Sequence, residues 1–202
     1  MDLIESIQDK LNGNLLGKLK QEIGAESEEQ TEAGANAVVT ALVAGLSRNA
    51  QQPEGAQSLN NALERDHDGG LLDDLTANLF GNRTSSNPKT FDGAGILQHI
   101  FGQKQPVVGD AVSKATGLDK SQIMKLMISL APVVLGMLGK AKRNKGLGSF
   151  ELSDLLSGTM QKQVSQRKEA GLFTRLLDAD GDGSIMDDIA NLGRNAFLSR
   201  RK

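Results

Sequence analysis

The sequence predicts an all-α protein, a bundle of short helices around one long apolar helix. Three observations carry that expectation. Apolar residues recur every three or four positions in most segments, which is the helical period. Aromatic content is 3% and all of it Phe, so the core has to be built from Leu, Val, Ile, Ala and Met, a palette that suits helices better than sheets. One segment near the middle, 121–143, is apolar on more than one face, as expected of a helix buried at the centre. At 202 residues and 38% hydrophobic content, the chain can fill one large core or two small ones.

In order along the chain, Leu3, Ile4, Ile7 and Leu11 mark a first short helix, and Leu15, Leu16, Leu19 and Ile23 a second. Ser27 followed by Glu28, Glu29 and Gln30 has the form of a capping box, with acids in the first turn favouring the positive end of the helix dipole. The helix it opens is expected to run to about 48 and to bury Val38, Val39, Leu42, Val43 and Leu46. Pro53 starts a helix to about 63, and 71–80 reads as another, stopped by Gly81. The stretch 82–92 has linker composition and divides the chain into a first half, 1–81, and a second, 93–202.

The second half opens with a short helix carrying Ile96, Leu97, Ile100 and Phe101. After Pro106 the chain starts again: at a shift of 92 residues, Asp119 to Gln122 falls on Ser27 to Gln30, and Val134 and Leu138 fall on Leu42 and Leu46. This spacing predicts two related halves, with chance likeness of two amphipathic hairpins as the alternative. The long helix 121–143 contains Pro132, which is expected to kink it. Lys140, Lys142, Arg143 and Lys145 close that helix, where cations are ordinary dipole partners and phosphate binding is the lesser reading. Helices over 149–160, 169–177 and 185–198 complete the chain, ending in a basic tail.

Composition excludes several function classes. Without cysteine there are no disulfides, thiolate metal sites or Cys nucleophile. A net charge of -2 gives no field to draw the chain to nucleic acid. The longest uncharged apolar run, 126–139, is 14 residues and too short for a membrane span, and residues 1–10 lack a signal-peptide pattern, so a cytoplasmic location is the expectation. No nucleophile elbow or Walker lysine appears, and an enzyme is not expected. His67 reads as a solvated loop histidine and His99 as one packed on a short helix.

What chemistry there is lies in acidic loops. Asp178, Asp180 and Asp182 alternate, Gly183 follows as a turn glycine, Ser184 offers its backbone carbonyl, and Ile185 anchors the loop. Calcium takes six to eight oxygens, and alternating carboxylates let one turn supply several. Up to that point the loop resembles an EF-hand or dockerin-type calcium loop, in helix-loop-helix context. It departs at the closing position, where Ile189 stands and Asp187 and Asp188 come early. The competing reading is a turn whose carboxylates cap the exit helix; the two are compatible. A weaker copy comprises Glu64, Asp66, Asp68, Gly70, Asp73 and Asp74, with Leu75 at the closing position.

Two blocks point to a family: His-Asp-Gly-Gly-Leu-Leu-Asp-Asp, starting at His67, and Gly-Ala-Gly-Ile-Leu-Gln-His-Ile-Phe over 93–101. With the capped helix after Ser27 and the Leu130, Ala131, Pro132 segment, the chain resembles the YidB-like bacterial family of unknown function across roughly 1–145. The Asp178 loop resembles a C-terminal addition found in some members. The resemblance implies an all-helical bacterial protein and brings no established activity or catalytic residues. The expected function is a structural or interaction protein, with an unidentified protein partner and a Ca2+ loop at 178–188. The alternative is a lipid or membrane-surface module, motivated by the amphipathic helices and by Met124, Met127 and Met137.

Overall fold

A computed structural model describes residues 3–11, 13–72 and 88–166, and all of the regular structure in them is helical. The order is α1 (Leu3–Gln8), α2 (Asn14–Ile23), α3 (Glu28–Ala50), α4 (Pro53–Arg65), α5 (Gly93–Phe101), α6 (Gln105–Thr116), α7 (Lys120–Lys145) and α8 (Ser149–Gln166). Short 3₁₀ turns at Asp9–Leu11 and Gly102–Lys104 follow α1 and α5. The chain divides into two compact units, 1–162 and 163–202, and the described part of the second is the end of α8. The predicted helices over 71–80, 169–177 and 185–198 lie largely or wholly outside the described residues; Gly70–Leu72 is a 3₁₀ turn.

The two long helices form the centre because neither has a wet face wide enough to spare. Along α3, Ala35, Val38, Val39, Leu42 and Val43 are all fully buried, and along α7 so are Ile123, Leu126, Met127, Leu130 and Leu138. Each such aliphatic side chain contributes on the order of 1.5–3 kcal/mol of transfer free energy. α7 is long and apolar enough by length and composition to cross a membrane, which the count of 14 uncharged residues did not anticipate; yet 72% of its most apolar window is packed inside the protein. That is the environment of a core helix.

Capping follows the sequence, with one exchange. Gln30 N–H donates to Ser27 Oγ at 3.1 Å, whereas the complete reciprocal box forms at Asp119: Gln122 N–H donates to Asp119 Oδ1 at 2.8 Å and Asp119 N–H to Gln122 Oε1 at 2.9 Å. α7 runs through Pro132 as one helix. Proline has no N–H, so the Ile128 carbonyl four residues earlier lacks its usual helical donor. Gly93, the first residue of α5, sits against that carbonyl so closely that a Cβ there would collide with it, and a Gly93 Cα–H points at the oxygen instead.

The halves repeat element by element. Helix, 3₁₀ turn, helix, long helix and a further helix occur in α1–α4 and again in α5–α8. Val38, Leu42 and Leu46 are matched at a shift of 92 by Leu130, Val134 and Leu138, and all six are buried. Helices α2 and α6 both end on a left-handed glycine, Gly24 at φ 71° and Gly117 at φ 75°. The packing is reciprocal: α1 and α2 lie on both α3 and α7, and so do α5 and α6. Elements from both sides of 82–92 thus share one core.

Candidate functional site

The described part of the weaker acidic loop sets exposed carboxylates around a buried histidine, and it is built by the end of α4 docking on the end of α7. α4 terminates at Arg65, with the Asp66 N–H donating to the Ala62 carbonyl. The chain then turns at Gly69, whose φ of +99° is left-handed backbone that only glycine adopts without strain. Gly70 N–H donates to Asp68 Oδ1 at 3.0 Å and Leu72 N–H to the Gly69 carbonyl at 3.1 Å, closing the turn. Thr90 Oγ1 reaches back across 24 residues to the Asp66 carbonyl at 2.8 Å.

A glycine on α7, Gly139, lets this turn approach. The His67 carbonyl lies where a Cβ on Gly139 would be, and Gly69 packs on Lys140 and the Gly136 carbonyl. Backbone contact of this kind is possible only where the helix surface has no side chain. The expected solvation of His67 is therefore corrected: the residue is 5% exposed, because the turn presses it under the chain against α7. His99 does lie on α5 but is exposed, and its carbonyl accepts from Asn49 Nδ2 at 3.2 Å.

Charge follows the docking. Lys142 Nζ lies 2.7 Å from Glu64 Oε1, and Arg143 Nη1 lies 3.4 Å from Asp68 Oδ2. Asn60 Nδ2 adds a donor to Glu64 Oε1 at 3.3 Å, and Asp66 lies beside Arg65. The hydrogen bond and the positive charge of Lys142 hold the Glu64 carboxyl below its ordinary range. Burial holds the His67 imidazole below its ordinary value, against the opposing pull of the Asp66 charge. Asn60 Oδ1 and His67 Nδ1 are buried without a hydrogen-bond partner among the described residues.

The geometry therefore supplies a neutralised acidic turn. Among the described residues, no three His, Asp or Glu side chains converge to hold a metal ion. Of the sequence-predicted ligands, Glu64 and Asp68 face the cations of α7, and Gly70 donates within the turn. Asp73 and Asp74 lie outside the described residues, as does the whole set Asp178, Asp180, Asp182, Ser184, Asp187 and Asp188. What the sequence reading missed is the docking itself: Lys142 and Arg143 were read as dipole partners and not as the partners of Glu64 and Asp68. Gly139, a small residue on an otherwise apolar helix, was the available signal of a close approach.

A family model described as a bacterial protein of unknown function (DUF937) matches residues 5–141. No curated protein and no solved structure matches the chain.

Proposed function

We propose, from the premise that the chain belongs to the DUF937 family of bacterial proteins of unknown function, that it is a non-enzymatic helical interaction module with a calcium-binding loop at 178–188. The observation that supports the module reading is the acidic turn at 64–70. Its carboxylates are engaged in holding α4 to α7, with Glu64 on Lys142 and Asp68 on Arg143.

The calcium reading rests on the sequence of 178–188. There Asp178, Asp180 and Asp182, with the Ser184 carbonyl and Asp187 or Asp188, would supply the oxygens. An ion bound to the folded chain raises stability by mass action. The test is titration calorimetry with calcium, together with thermal melts in calcium and in chelator. Binding heat and a higher melting temperature in calcium are expected, and both are expected to vanish in an Asp178→Asn, Asp180→Asn, Asp182→Asn variant. Coincident melts and no heat would end the proposal. Vesicle co-sedimentation separates it from the lipid-surface reading, which requires pelleting; Met127, one of the residues that motivated that reading, is buried in the core.

A further inference from the structure

The two halves cover each other by the same surfaces. α3 and α7 cross at the centre, and each is covered by the paired short helices of both halves. Each connection between the paired short helices also turns on a glycine of the same unusual backbone: Gly13, which directly precedes α2, has φ 57° and ψ -122°, and Gly102, which ends α5 and opens the 3₁₀ turn before α6, has φ 52° and ψ -126°. It also extends to the contacts between halves. Gln122, third residue of α7, donates from Nε2 to the Gly24 carbonyl that ends α2, at 3.0 Å. Its counterpart Gln30, third residue of α3, places its amide beside Gly117, which ends α6. Reciprocal contacts of equivalent residues are the signature of an isologous interface, in which one patch meets its own copy.

We propose that α1–α4 and α5–α8 are two copies of one helical unit whose buried face is homotypic, so that the partner this face accepts is another copy of the same unit. In the intact chain that partner is tethered at a high effective concentration, and pairing in cis prevails. Once the tether is cut, the same face pairs in trans with the unit of a second chain. This inference rests on the repeat and is independent of the calcium loop.

The test uses the full chain with a specific protease site inserted after Ser85, and a second variant with the site after Gly81. The variant used is the one whose uncut far-UV spectrum matches that of the parent. After cleavage, the fragments are expected to co-elute, with a thermal midpoint that falls on dilution while that of the uncut protein does not. Cut protein bearing an affinity tag on Met1 is then mixed with untagged cut protein near the melting midpoint. The tagged first-half fragment is expected to recover untagged second half and also untagged first half. Fragments that separate while still folded would show two independent domains and overturn the proposal. So would recovery of the second half alone, which would mean that the faces are complementary and not alike.

Discussion

Gly139→Ala is the sharpest probe of how the acidic turn is held. On propensity alone, alanine in the interior of α7 would stabilise the protein by about 1 kcal/mol. The structure predicts the opposite sign. The new methyl would occupy the position of the His67 carbonyl, and its nearest neighbours are backbone atoms of His67 and Asp68, which cannot swing away as a side-chain tip would. The turn has to lift. Lifting weakens the Glu64–Lys142 and Asp68–Arg143 contacts, each at least half exposed on one side and so a minor part of the loss. It also loosens the packing over His67, in the range of about 1–3 kcal/mol for overpacked sites. Set against the propensity gain, the net loss is about 1–2 kcal/mol, or several degrees in Tm at about 2–4 °C per kcal/mol for a unit of this size. Urea unfolding followed by circular dichroism measures it. Gly109→Ala is the control, since a Cβ there meets nothing within 4 Å, and it is expected to stabilise. If Gly139→Ala matches Gly109→Ala, the turn does not dock as described.

Two further outcomes follow from the caps and the buried imidazole. Asp119→Ala removes the acceptor of the Gln122 N–H and leaves the Asp119 N–H bonded to Gln122 Oε1. It is expected to lower stability by about 1 kcal/mol in denaturant unfolding, as is Ser27→Ala, while Asp119→Ala combined with Gln122→Ala removes both bonds of the box and is expected to cost more. For His67, the folded pKa lies below the ordinary 6.5, so the unfolded chain takes up the proton first as pH falls. The stability from keeping the ring neutral is complete above about 6.5 and declines as pH falls from there toward the folded value. Unfolding curves between pH 7.5 and 5.5 are expected to show that decline, and His67→Gln to flatten it.

Helix positions were legible because periodicity and caps are local signals. Ser27, Pro53 and Asp119 marked helix starts to within a residue, and the apolar positions of α3 and α7 named most of the central core. The pairing of Pro132 with Gly93 was not legible, although both residues were noted. A proline announces a missing donor but not what approaches the exposed carbonyl, and Gly93 lies 39 positions earlier on another helix. His67 failed for a related reason. Flanking aspartates and glycines describe a solvated turn, and only Gly139 of α7 reveals that the turn lies against a helix.

The same logic bears on reading carboxylates as ligands. A run such as Glu64, Asp66 and Asp68 fixes where negative charge sits along the chain, but its chemistry depends on which positive charge the fold brings to it. Here that charge is the end of α7, where Lys142 and Arg143 also complement the helix dipole, so one pair of cations answers two sources of negative potential. A metal ion entering the turn would have to displace both cations and leave them beside one another at a helix terminus. The cations on Glu64 and Asp68 therefore count against a metal at 64–70 more firmly than the spacing of its carboxylates does. The decisive property of an acidic loop is whether the fold has already supplied it with a cation.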